Sequence, residues 1–192
     1  MKKRAEYKSS IRSKKLIREA YIELLQEKST TDKITVTDIV KKADINRGTF
    51  YNHYDYPREI LEQMQDELLN KMAEFIGEFR DENLFEDPLP LLKKAALYFS
   101  ENIEVHKKLI NTRELEIFIA TLKDVFVEKI YTDINLPETL KNDHRLSVMA
   151  NFISGGIVNL YQAWLKGKLD CSLDELFVLI SELIKTNIDF FN

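Results

Sequence analysis

Apolar residues recur at intervals of three and four along nearly the whole 192-residue chain, a spacing that predicts a succession of helices. Leu16, Ile17, Ala20, Tyr21, Leu24 and Leu25 share one face of a first helix, from about Ser10 to Lys28, which stops in the polar stretch Ser29-Thr30-Thr31-Asp32. Thr35-Val36-Thr37-Asp38 then places a hydroxyl and, three residues on, an acid where they can satisfy the free amides of a helix start, so a short second helix to about Ala43 is expected. Asn46 suits the N-cap of a third short helix, Arg47 to about His53, and Pro57 the first turn of a fourth. Leu61, Met64, Leu68, Met72, Phe75, Ile76 and Phe79 form one continuous stripe on that fourth helix. At about 1.5 Å per residue it spans roughly 30 Å, enough to join two domains.

Beyond it, the acidic segment 81–90, with two prolines, predicts a break. Helices follow over Leu91–Asn102, Val105–Ile110 and about Arg113–Tyr131, with Asn135–Asn142, which contains Pro137, as a loop. The penultimate helix, about His144–Lys166, carries Leu146, Ala150, Ile153, Ile157, Leu160 and Trp164. Gly155-Gly156 in its middle costs on the order of 1 kcal/mol per glycine, a cost that usually reflects close approach of another helix. The last helix opens with a second capping pattern, Ser172 to Glu175, and runs to Phe191 with Leu176, Phe177, Ile180, Leu183, Ile184 and Ile188 on one face. With only 5 Gly and 4 Pro the chain is poor in the turn residues that β architectures need, so the fold class is all-α. The expected organisation is an N-terminal three-helix helix-turn-helix domain, residues 1–56, joined by the long helix to a C-terminal helical domain, residues 57–192.

Charge changes the picture. The net charge of −4 taken whole disfavours a nucleic-acid partner. Residues 1–60, however, hold 14 Lys+Arg against 9 Asp+Glu, a net +5, and the remainder holds 14 against 23, a net −9. The first fifteen residues alone carry Lys2, Lys3, Arg4, Lys8, Arg12, Lys14 and Lys15 against Glu6, an arm that attracts polyanions or simply aids solubility. The single Cys171 excludes an internal disulfide and, with no apolar leader at the N-terminus, a cytoplasmic protein is expected. Leu146–Leu165 is uncharged and long enough for a membrane span, but Ser147, Asn151, Ser154, Asn159 and Gln162 are spread through it, so a buried helix and no membrane partner are expected.

Two short helices joined by a tight turn and preceded by a longer one form a helix-turn-helix pattern. With Phe50 inward, Gly48 and Asn52 point furthest outward, flanked by Thr49 and Tyr51. Arg47 can reach a guanine edge or a phosphate, Thr49 offers a hydroxyl and a methyl, Tyr51 a ring and a hydroxyl, and Gly48 lets the backbone approach a duplex. His53 is either a phosphate contact or a packing residue. Thr35 and Thr37, at the start of the second helix, are further candidate DNA contacts.

Residues Ile34–Tyr54, ITVTDIVKKADINRGTFYNHY, resemble the helix-turn-helix signature of the TetR/AcrR family of bacterial transcriptional regulators, matching it at Thr35, Asp38, Ile39, Ala43, Ile45, Gly48, Thr49, Tyr51 and His53. Phe152–Gly167, FISGGIVNLYQAWLKG, is similar to a C-terminal domain of Firmicutes members. Two positions depart from the pattern. The usual turn glycine is Asp44, a residue that tolerates a left-handed backbone, and the usual helix-four lysine falls at Pro57, with Arg58 the nearest replacement for its phosphate contact.

The resemblance implies a homodimer on a palindromic double-stranded DNA operator, with a C-terminal domain for effector binding and dimerisation. Ile153, Gly156, Ile157, Leu160, Ile180 and Ile184 on the last two helices are the candidate dimer contacts, an intramolecular core being the alternative. Tyr98, Asn151 and Trp164 are candidate contacts for an unidentified small-molecule effector, a filled core being the alternative for the aromatics. Control by a protein partner is the second reading of that domain. His53, His106 and His144 share no ligand spacing, and no phosphate-binding or dinucleotide fingerprint appears, so neither an enzyme, a metal nor a cofactor is expected.

Overall fold

Good helix formers with no Gly or Pro among them start the first helix well ahead of Ser10. In the computed structural model, which describes residues 2–79, 84, 86–110, 112–133 and 142–187, α1 spans Lys2–Lys28. Ser29 ends it in a left-handed conformation (φ 61°), its N–H donating to the Leu25 carbonyl at 2.8 Å. A 3-10 turn, Thr31–Lys33, leads to α2 (Val36–Lys42) and α3 (Arg47–Tyr51). There follow α4 (Pro57–Glu78), α5 (Leu89–Glu101), α6 (Ile103–Leu109), α7 (Arg113–Asp133), α8 (His144–Leu165) and α9 (Leu173–Asn187). Every regular element among the described residues is helical. The expected loop over 135–142 lies, but for Asn142, outside the described residues, as do Ile188 and Phe191.

Both capping boxes form. The Thr35 hydroxyl accepts from the Asp38 amide while the Asp38 carboxylate accepts from the Thr35 amide. Ser172 and Glu175 exchange the same pair of bonds, at 3.2 and 2.7 Å.

The chain divides into two compact units, one of Met1–Glu67 with Asn111–Glu116, the other of Leu68–Ile110 with Ile117–Asn192. The first unit therefore runs past the break expected at Pro57, and Ile60 and Leu61 in the opening turns of α4 are buried. Its core is Ile17, Tyr21 and Leu25 from α1 with Ile39, Phe50, Tyr54 and Ile60, all essentially without exposed surface. Those residues fold α2 and α3 onto α1, which also contacts the 3-10 turn.

In the second unit α9 packs on α5 and α8. Its core includes Leu92, Ala96 and Phe99 of α5, Met149 and Ala150 of α8, and Leu176, Phe177, Ile180 and Ile184 of α9. A further apolar cluster joins Ile76, Leu84 and Leu146 to Phe79, Leu91, Phe126 and Tyr131. A side chain added at Gly155 or Gly156 would meet nothing within 4 Å, so the glycine pair is not explained by another helix of this chain among the described residues. Among those residues no helix is long and apolar enough to cross a membrane.

Candidate DNA-binding surface

A five-residue helix has too few internal hydrogen bonds to hold itself, so the position of α3 is set by its ends and by the residues beneath it. Asn46 caps it, its Oδ1 accepting from the Thr49 amide at 2.7 Å and from the Thr49 hydroxyl at 3.0 Å. The preceding turn is made by Asp44 at φ 52°, the left-handed conformation for which the usual residue is glycine. Phe50 is fully buried under the helix, edge-on to Tyr51 and tilted against Tyr54.

The opposite face is open. Arg47, Gly48, Tyr51 and Asn52 are exposed and Thr49 half-buried, which is the outward order expected from the position of Phe50. Thr37, exposed on α2, accepts a 2.6 Å bond from Arg47 Nη2, so the two helices present these side chains as one polar unit. Thr35 is exposed too, but its hydroxyl serves the capping box, accepting from the Asp38 amide and donating to Asp38 Oδ2 at 2.7 Å. The Lys28 ammonium and the Thr35 donors hold the Asp38 carboxyl well below the usual carboxylate range. Arg58, exposed at the start of α4, pairs with Glu62 one turn on at 3.2 Å; such a surface pair is weak enough to exchange for a phosphate.

His53 is half-buried, its Nε2 lying 2.7 Å from the Ser13 hydroxyl of α1 and its ring beside Tyr54. Burial first, then the Lys14 charge, lowers its pKa, which keeps the ring neutral and suits the packing role. Arg18 and Glu67, not singled out from the sequence, complete the underside together with Tyr54 and with Lys14 of the basic arm. Arg18 of α1 donates from Nε to the Tyr54 hydroxyl at 3.0 Å and from Nη1 and Nη2 to the two carboxylate oxygens of Glu67 on α4 at 2.7 and 2.6 Å. Lys14 adds a 3.3 Å bond to Glu67, and the bonds to Arg18 hold that carboxyl below its ordinary range. Their signal in the sequence, Lys14 and Arg18 one helical turn apart, says nothing of partners about 50 residues away.

In the second unit Tyr98 lies edge-on to Phe75 and Phe99, and Trp164 stacks on Tyr161 while donating from Nε1 to the Cys171 carbonyl at 2.8 Å. Tyr161 and His106 meet at 2.6 Å inside this aromatic cluster, and burial pushes His106 down to about 4. Asn151 is exposed on α8 and donates to the Ser147 carbonyl of its own helix. Of the candidate dimer contacts, Ile153, Gly156, Ile157 and Leu160 are half-buried. Ile180 and Ile184 instead point into the chain's own core, because α9 turns that edge of its stripe onto its neighbours. The exposed apolar residues of α9 are Val178, Leu179 and Leu183, and those of α8 are Val148 and Phe152.

Residues 86–186 match the family described as the transcriptional regulator C-terminal region of TetR type. Among curated proteins the chain is 37% identical over 54 residues to the HTH-type transcriptional regulator YxbF of Bacillus subtilis, spanning 28% of this chain and 14% of that one. It is 29% identical over 127 residues to the dhaKLM operon transcriptional activator DhaS of Lactococcus lactis, spanning 66% of this chain and 64% of that one. The matched regions thus cover less than two thirds of both relatives. A solved structure of the dihydroxyacetone kinase operon activator DhaS is similar with a TM-score of 0.57 at 24% identity, over 93% of this chain and 97% of that one. A TetR-family regulator from Syntrophomonas wolfei gives 0.61 at 16% identity, over 91% and 93%. With more than half its length in the family match and the same all-helical fold in these structures, the chain belongs to the TetR family of transcriptional regulators.

Proposed function

We propose that the chain is a cytoplasmic, sequence-specific regulator that binds a palindromic double-stranded operator as a homodimer, reading bases with α3. The observation that carries this reading is the two-sidedness of α3: Phe50 is sealed beneath it, while Arg47, Gly48, Tyr51 and Asn52 lie exposed with Thr37 bonded to Arg47. Those groups supply the donors, methyl and ring that base edges and phosphates accept. A helix this short reads few base pairs, so two copies on half-sites one helical turn, or a multiple, apart supply the specificity. Support for the dimer comes from α8 and α9, which carry Val148, Phe152, Leu179 and Leu183 at half exposure or more beside the open Gly155-Gly156 pair.

In this reading the chain is a repressor, released when a small-molecule effector favours a conformation of the second unit that does not fit the operator. A second reading, control by a protein partner, is supported by the engagement of Tyr98 and Trp164 in ring packing and of the Trp164 N–H in a hydrogen bond. The name of DhaS describes an activator, so a reporter placed under the selected duplex decides the sign of regulation.

The test is selection of a duplex from a randomised pool, followed by fluorescence anisotropy. Arg47→Ala and Tyr51→Ala should each lose about tenfold or more of the preference for the selected duplex, a loss of the size one base contact supplies. A wild-type protein that shows no preference over scrambled DNA overturns the reading.

A further inference from the structure

We propose that Arg18 is a positioning residue for DNA readout: its guanidinium locks the C-terminal end of the recognition segment to α1 and α4 at once. The inference rests on the DNA-binding reading above and names what holds that surface in its pose.

Three parts of the first unit converge on this side chain. Tyr54, the residue three beyond the end of α3, has almost no exposed surface, and its amide donates to the Phe50 carbonyl at 3.0 Å, so its ring moves with the last turn of α3. Its hydroxyl accepts from Arg18 Nε. The other two nitrogens of the same planar group engage both oxygens of Glu67, a forked geometry that a lysine ammonium does not reproduce. Phe50 anchors the helix from below and Asn46 caps its start, which leaves the C-terminal end to be fixed by other contacts. The Arg18 bond to Tyr54 and the Ser13 bond to His53 fix the C-terminal side, on two consecutive residues. A side chain such as Tyr51, projecting outward, amplifies any tilt that the loss of these bonds permits.

The full-length protein is tested on the duplex it selects from a randomised pool and on a scrambled duplex. Arg18→Lys and Tyr54→Phe are each expected to lower the selected-over-scrambled affinity ratio by about fivefold or more, with scrambled-duplex affinity and the salt slope at wild-type values. Because both groups act through one bond, the double variant should cost no more than about the larger single loss. A ratio unchanged in Arg18→Lys overturns the proposal. So does a parallel fall on both duplexes with a salt slope reduced by about one, which would make Arg18 a phosphate contact. Should Arg18→Lys fail to fold, Tyr54→Phe and Glu67→Gln carry the test, and wild-type ratios in both overturn it. Failure of the wild type to select any duplex is a different result: it removes the DNA-binding reading itself.

Discussion

Tyr21 has no exposed surface, and its hydroxyl has no hydrogen-bond partner among the described residues; Oε2 of Glu114 is in the same condition, although Oε1 accepts from the Thr31 amide at 3.0 Å. Burial first, then the Glu114 charge, raises the Tyr21 pKa, so the phenol keeps its proton. An orphaned buried hydroxyl costs about 1–3 kcal/mol, which makes deletion favourable: Tyr21→Phe is expected to stabilise the protein by about 1 kcal/mol in urea unfolding, and a loss of stability would show that the hydroxyl is satisfied in solution. His106 gives a pH dependence whose sign follows from its burial. Held neutral down to about 4 in the fold and ordinarily protonated near 6.5, it makes the unfolded chain the better proton acceptor between those values. Stability is therefore complete above about 6.5 and declines as the pH falls toward 4. Urea midpoints across that window should fall in the wild type and flatten in His106→Gln; equal slopes would contradict the burial.

At the level of elements, α2 and α3 were legible because their boundaries are written in local chemistry. Thr35 with Asp38 and Asn46 with Thr49 are bonds across three residues, within reach of a sequence pattern, and the positive φ of Asp44 follows from the turn that must sit between the helices. The Arg18 fork was not legible, because it joins residues 36 and 49 positions apart, and spacing on one helix carries no record of such partners. The same limit explains α9. Its apolar residues cover both Ile180 and Ile184 on one edge and Val178, Leu179 and Leu183 on another, and periodicity alone does not say which edge faces the chain's own core. The exposed edge, with Phe152 and Val148 of α8, now defines the proposed dimer surface. Phe152 is 68% exposed, so a charge there is harmless in a monomer and costly in a dimer seam. Phe152→Glu is expected to yield folded monomer by light scattering, with helical content unchanged; a Phe152→Glu dimer would move the interface elsewhere.

For the whole molecule, the informative electrostatic quantity is the distribution of charge, since a net of −4 conceals +5 over residues 1–60 and −9 over the rest. Part of the positive charge is spent internally: Lys14 on Glu67, Lys28 on Asp38, and Lys42 on Glu23 and Glu27. Outside those pairs, Arg12, Lys33, Lys41 and Arg47 are exposed, as are Lys15 and Arg58, whose partners Glu19 and Glu62 lie one turn along the same helix in weak surface pairs; these are the groups best placed to meet phosphates. Two copies in the proposed dimer double that set. Each phosphate neutralised releases condensed counterions, so if the proposed dimer makes about six to ten contacts its affinity for DNA is expected to fall by about a thousandfold or more between about 50 and 200 mM salt. The fall should be shared by selected and scrambled duplexes, since phosphates carry no sequence, while the ratio between them stays with α3. Anisotropy titrations at several salt concentrations measure both quantities together. A flat salt dependence would mean that the acidic remainder of the chain cancels the basic surface at the duplex, and that the separation of charge along the sequence is not a separation at the interface.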